Sequence, residues 1–392
     1  MRVRCRWALT SLVIALVASV SPAARADDDD DDGPFDLPPQ TGSANIGELL
    51  PSRTGPDGEP LTSEGEVIFE TESADTIRPE GEDPPVAPMV PPPAPEDPPL
   101  RPQHRVEYNN TLGARYNPLG VVDRLDLFYR YRLYEKPGAL YRDASIGIGL
   151  TPRASPALAR IGPTIEFRPL TILNFQVGYH LIGHFGTFDT LQTFGSPLDD
   201  HRDATREALT EAGESRTAIG GELQVLGQFL IKAGNVVLRD TLNVFVSNHN
   251  LPEDEPNFWD VRLDIMRSNG RPTFANDLDL VYLTDFGLIS GARFTVVHHL
   301  HGADDFRPGE ARENPNELFR LGPIFAYRFD DVDPTFRAPT VLLLPSWHIK
   351  HRWRTGVEFA PMLPSISLAF VFSGDVWNSD VGWAGAQEDP EG

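Results

Sequence analysis

The chain has 392 residues, with 57 acidic against 34 basic side chains, a net charge of −23 and a single cysteine. So acidic a protein excludes nucleic acid as a partner, because phosphate binding draws on clustered Lys and Arg. Cys5 lies ahead of the first apolar run, so the rest of the chain has no disulfide and no thiolate metal site.

Residues 1–26 read as a secretory signal. Arg2, Arg4 and Arg6 form the basic start, 8–20 is an uncharged apolar core, and Ala24-Arg25-Ala26 supplies the small-x-small cleavage site. That core is too short to span a bilayer as a helix, which takes about 20 residues. The mature chain is expected to begin near Asp27.

Residues 27–104 carry 20 acidic side chains against 3 Arg, together with 17 of the 37 prolines. Proline removes backbone donors and like charges repel, so this stretch is expected to be an extended, disordered periplasmic arm. Its less polar island Glu66-Val-Ile-Phe-Glu70 offers a strand for a periplasmic partner or a plug for the lumen.

From His104 onward the side chains alternate between apolar and polar. Leu125, Leu127, Tyr129, Tyr131 and Leu133 share one face, while Asp126, Phe128, Arg130 and Arg132 share the other. Period two means strands, and charges in mid-strand suit a wet lumen opposite a lipid-facing wall. Twelve strands are expected, at 105–116, 122–134, 143–151, 158–168, 171–183, 219–233, 235–247, 275–283, 287–299, 318–329, 340–353 and 357–373. With strand one running outward, the long connections 184–218, 248–274 and 300–317 all fall outside the cell. The tight turns at 168–171, 233–235 and 284–287 fall inside.

Arg160-Ile-Gly-Pro163 and Arg320-Leu-Gly-Pro323 form a short internal echo, and each Gly-Pro step predicts a bulge or bend. Asp240 falls in phase with outward Leu238 and Leu242. A charge there costs about 2 kcal/mol or more at the bilayer midplane, which predicts a local bulge or shifted register.

On these features the span 104–376 resembles an outer-membrane β-barrel of the general porin-like class. The resemblance implies an all-β transmembrane antiparallel barrel over 105–376, a short tail over 377–392, and a place among the lipids of a Gram-negative outer membrane. It further implies a passive pore or transport component for small solutes. A structural or envelope-assembly role is the first alternative, and an outer-membrane lipid hydrolase is the second. Such barrels usually end on an aromatic residue at the extreme C-terminus, whereas here about twenty residues follow Phe370 and Phe372.

The phase assigns Arg115, Arg130, Arg132, Arg160, Arg168, Arg239, Arg293, Arg320 and Arg328 to the lumen. Glu107, Asp126, Glu166, Glu222, Asp277, Asp279 and Glu358 oppose them. Either the arginines favour anions in a pore, or the charges neutralise one another in a nearly filled barrel. His180 with His184, His299 with His301, and His348 fall at the outer mouth, where paired imidazoles on one strand face suit a transition metal, with Asp304 and Asp305 nearby. No cofactor motif occurs. No histidine is followed by serine two positions on and no Gly-x-Ser-x-Gly elbow occurs, which argues against catalysis. Residues 199–211 predict a short amphipathic helix, and the 248–274 loop, with Phe258-Trp259, is expected to pack on the barrel rim.

Overall fold

A computed structural model describes residues 100–383 apart from 119, 137, 188, 189 and 381. The expected signal, nearly all of the acidic arm and most of the C-terminal tail lie outside the described residues. The chain begins with β1 (His104–Tyr116), β2 (Gly120–Arg132), β3 (Ser145–Leu150), β4 (Arg153–Ala154), β5 (Leu158–Ile161), β6 (Pro163–Leu170) and β7 (Leu173–Phe185). Then come β8 (Thr193–Phe194), helix α1 (Asp203–Glu211), β9 (Thr217–Ala233), β10 (Val236–His249), β11 (Asn257–Asp260) and β12 (Ile265–Ser268). The series ends with β13 (Pro272–Leu283), β14 (Leu288–His299), β15 (Glu317–Arg328), β16 (Arg337–Lys350), β17 (Ser365–Asn378) and β18 (Gly382–Trp383).

Twelve antiparallel staves close into a barrel, because β1 pairs with β2 on one side and with β17 on the other. The third stave is β3 with β4 and the fourth is β5 with β6, each interrupted once. Closure leaves no unpaired edge, the only way a sheet satisfies its backbone in hydrocarbon. The alternation explains which way each face turns. Ile146, Ile148, Ile165, Val177, Leu181 and Leu280 are exposed on the outside, while the residues between them turn inward and are mostly buried. Tyr129, Tyr131, Tyr282 and Tyr327 ring the inner end of this apolar band, and Tyr116, Phe185 and Trp347 mark the outer end, the girdles of a membrane barrel.

The expected loop sorting holds. The inner turns at 234–235 and 284–287 use Gly234 and Gly287 at φ +59° and +94°, a backbone region that side chains with a Cβ rarely adopt. The last strand does not run over 357–373 as expected. A fourth outer loop occupies 351–364, since Pro361 and Pro364 cannot donate to a ladder, and the strand is β17.

Asp240 also departs from expectation. Its strand pairs without a bulge on either side, and the carboxylate stays outward, accepting from Asn276 Nδ2 at 2.7 Å. Asp123, likewise outward, accepts from Asn110 Nδ2 at 2.9 Å. A neighbouring amide thus offsets part of the charge that a shifted register was expected to remove.

The two Gly-Pro steps are both sites of close backbone approach. A Cβ on Gly162 would meet Tyr179 O at 2.0 Å, and one on Gly322 would meet Pro345 O at 1.9 Å. The stave breaks at Gly162, and pairing between β15 and β16 lapses between Leu321 and Phe325.

Candidate functional site in the barrel lumen

Two outer loops supply a small sheet in which β11 pairs with both β12 and β8. All of its side chains but Thr193 are buried, and half of them are apolar. Trp259, Val261 and Met266 pack with Phe194 and with Leu158 and Ile182 of the wall. Leu263 and Ile265 pack on Phe245, Ala275, Val297 and Leu318 of the opposite wall. The 250–271 segment therefore goes further than the rim and enters the outer half of the lumen as a plug. Helix α1 forms where expected, and Arg206 lies over the Trp259 ring at 3.3 Å, a cation–π contact that ties the helix to the 250–271 segment.

Charged groups fix the plug to the walls. Glu222, fully buried on β9, accepts from Arg262 Nη1 at 2.8 Å, from Arg160 and from Ser247 Oγ at 2.7 Å, with Arg267 at 3.5 Å. Asp260 pairs with Arg262 and Arg267. Burial alone would raise the Asp260 carboxyl, but these two guanidinium groups hold it well below the usual carboxylate range. Asp264, also buried, meets Arg354 through two hydrogen bonds. Against the cost of burial, Arg354 keeps that carboxyl strongly depressed. Arg115 Nη2 reaches Val261 O at 3.3 Å, and His351 Nε2 meets Asp264 O at 2.7 Å.

The inner half holds the wall's own network. Glu166 accepts from Arg130 at 2.7 Å, Arg168 at 3.0 Å and Gln176 at 2.9 Å, and Arg130 also reaches Glu107. Asp279 lies between Arg239 Nε at 3.0 Å and Arg293 Nε at 2.7 Å. Arg124 pairs with Asp126 at 2.6 Å and Arg328 with Asp331 at 3.1 Å. Arg132 turns to the Arg101 carbonyl at the inner end. Beside this network the wall is apolar, with Val237, Val281, Ile289, Ile324 and Val371 in one cluster.

An even set of antiparallel staves, a greasy exterior, ion pairs within and long loops at one end only decide the class. This is an outer-membrane β-barrel. Its place is the outer membrane of a Gram-negative cell, where single-chain barrels have short periplasmic turns and long outer loops.

No family model and no curated protein matches the chain. Among solved structures the barrel is similar to the KdgM porin, at 6% identity and a TM-score of 0.32, over 69% of this chain and 98% of that one. It is also similar to the translocator domain of autotransporter NalP from Neisseria meningitidis, at 11% identity and 0.30, over 69% and 88%. The Acinetobacter baumannii outer membrane protein Omp33 is similar at 9% and 0.27, over 70% and 100%. The assignment rests on the chain's own closure, belt and loop asymmetry.

The barrel brings together some of the expected site residues and separates others. Arg115, Arg130, Arg160, Arg239, Arg320 and Arg328 are buried on the inner face, as are Glu166, Glu222 and Asp279. Glu358 is not on a strand; it lies in the 351–364 loop, where its Oε1 accepts from the Ala204 amide at 3.2 Å. Arg262, Arg267, Asp260, Asp264 and Arg354 were not among the expected lumen residues, because they sit in loops that carry no period.

His180, His184, His299 and His348 are buried and His301 half-buried, but among the described residues no three His, Cys, Asp or Glu side chains converge as a metal site. His180 Nε2 contacts Thr151 Oγ1 at 2.7 Å. His184 packs instead on His249, with ring centroids 5.0 Å apart. His299 is held by the Ser268 amide at 2.7 Å and Thr273 Oγ1 at 2.8 Å. Asp304 is almost fully exposed, and Asp305 is buried close to the Gly302 amide.

One serine does meet a histidine. Ser268 Oγ lies 2.7 Å from His301 Nδ1 and 2.7 Å from Asn257 Oδ1. The Asn257 amide nitrogen already donates to Phe194 O and Asp305 O, so its oxygen must accept, and Ser268 donates to it. His301 Nδ1 then carries the proton toward serine, the wrong tautomer for a general base. Ser268 is also 1% exposed.

Proposed function

We propose that this barrel is a transport component of the outer membrane, a passive path for small solutes through a narrow, arginine-rich lumen. The observation that supports it is the surplus of guanidinium over carboxylate on the inner wall. Arg105, Arg130, Arg168 and Arg337 share Glu107, Glu166 and Asp375, and Arg124 and Arg153 share Asp126. A lumen needed only for stability gains little from excess buried cations, since each costs desolvation that pairing must offset. The inserted 250–271 loop narrows the outer mouth on this reading.

A non-conducting structural role is the second reading, and the fully buried Phe258, Trp259 and Met266 inside the mouth favour it. Planar-bilayer recording separates the two. Discrete ionic steps from the refolded full chain are expected, and persistent silence from folded protein would overturn the transport reading.

A further inference from the structure

The internal echo places two arginines six staves apart, on opposite sides of a twelve-stave barrel. They differ in one respect. Arg160 has its counter-ion, since it meets Glu222 and also donates to Gln224 Oε1 at 2.8 Å. Both bury an Nε without a hydrogen-bond partner, but Arg320, 9% exposed, makes no ion pair or side-chain hydrogen bond at all among the described residues.

The carboxylates around Arg320 are engaged elsewhere. Asp277 accepts from Thr295 Oγ1 at 2.5 Å and lies 3.9 Å from Arg293. Asp264 is taken by Arg354 through two hydrogen bonds. Arg293 and Arg354 thereby bring further positive charge to the same region. A buried guanidinium whose neighbouring carboxylates are each held by another arginine is costly enough to call for a further anion from solution.

Two more orphaned polar atoms lie on the next two staves. His348 stands directly opposite Arg320 in register on β16, and its Nε2 is buried without a partner. Ser365 on β17 stands opposite Ser346, two residues before His348 on the same inward face, and its Oγ is likewise buried and unpartnered. His348 is 7% exposed and Ser365 1%. Three adjacent staves thus present a guanidinium N–H, an imidazole nitrogen and a hydroxyl. All three can donate, which is the donor set of an oxyanion site.

We propose that Arg320, His348 and Ser365 form a binding station for one small oxyanion, a carboxylate or inorganic phosphate, on the lumen wall. The station deepens the transport reading by naming the solute class, and it rests on that reading for its purpose but not for its existence. Arg320 supplies the charge, and His348 and Ser365 complete the hydrogen bonds. The wall at Arg160 is the built-in contrast, where the Glu222 carboxylate takes the place that the solute oxyanion takes at Arg320.

The test is the thermal unfolding midpoint of the refolded full chain in detergent, titrated with sodium acetate, sodium phosphate or sodium chloride at matched ionic strength. Acetate or phosphate is expected to raise the midpoint above chloride, and the stronger of the two identifies the source. Arg320→Gln is expected to weaken the effect about tenfold or more, the worth of a charged hydrogen bond. Lys232→Gln, at an exposed inner-end position, leaves it unchanged. Where Arg320→Gln does not fold, judged by its electrophoretic mobility with and without heating, Ser365→Ala carries the test with a several-fold loss. Equal midpoints in all three salts, or a full response in a folded Arg320→Gln or Ser365→Ala protein, would overturn the station. Silent bilayers with intact anion binding would instead overturn the transport reading and leave the station standing.

Discussion

The barrel wall and the plug inside it are both built from buried side chains, yet they are specified in different ways. On the wall, alternate residues along β2, β7 or β13 turn to lipid or lumen, so each position's neighbours follow from its parity. In the plug, Phe258, Trp259, Val261, Leu263, Ile265 and Met266 are buried although their segment follows neither period. Its burial comes from being enclosed on every side by a wall that is already closed. A wall stave is stabilised by its ladder, whereas the plug is stabilised by packing and by a few ion pairs that reach across.

That contrast makes Glu222 the position of largest expected effect, since it belongs to both regions. Glu222→Ala leaves Arg160, Arg262 and Arg267 without their shared carboxylate, and removing one partner of a buried ion pair costs about 3–5 kcal/mol. Urea unfolding of the refolded barrel measures it. A loss near zero would mean that wall and plug are not coupled through this residue. Trp259→Ala comes next. Its cavity costs about 3 kcal/mol, and it removes the ring under Arg206, so protease cleavage within 186–216 is expected to accelerate while the wall stays folded. Equal destabilisation of wall and plug would contradict their separate origins.

Gly322→Ala tests the wall alone. Its Cβ would meet Pro345 O at 1.9 Å, an overpacking worth about 2 kcal/mol. Gly227→Ala, whose Cβ finds only Phe175 at 4.0 Å, is expected to be tolerated.

The smallest effect is one of pH and belongs to the outer loops. Burial, opposed by the Asp199 carbonyl, pushes His201 down to about 3, and Arg352, His351 and Arg206 nearby add to the depression. A histidine whose folded value lies below its unfolded value of about 6.5 holds its full contribution above that pH. The contribution then declines as pH falls toward 3. Amide protection factors in 186–216, corrected for intrinsic exchange, are therefore expected to fall below about pH 6.5, before the depressed Asp260 and Asp264 protonate. His201→Gln removes that dependence, and a pH response that survives it would assign the change elsewhere.

Parity made most of the wall legible from sequence, including the lumen placement of Arg160, Glu222 and Asp279. It failed at 357–363, where alternation continued through a segment whose prolines stop a ladder. The sequence also showed Asp240 facing lipid, but not the amide of Asn276, a diagonal neighbour on the adjacent stave. The plug was only partly legible. Phe258-Trp259 signalled packing, but depth in the lumen depends on which walls enclose the loop, and Asp260, Arg262, Asp264 and Arg267 carry no periodic mark. The same limit hid the unpartnered state of Arg320, which depends on how Asp264 and Asp277 are already engaged.

The most direct test of the closed, lipid-embedded wall is a scan of single spin labels along residues 179–182 of β7 in the bilayer-reconstituted barrel, read by collision with oxygen and with a water-soluble nickel chelate. Labels at Tyr179 and Leu181 are expected to meet oxygen strongly and nickel weakly, and labels at His180 and Ile182 to meet both weakly. Nickel access at Tyr179 and Leu181, or the loss of alternation between the two pairs, would contradict a wall that faces hydrocarbon.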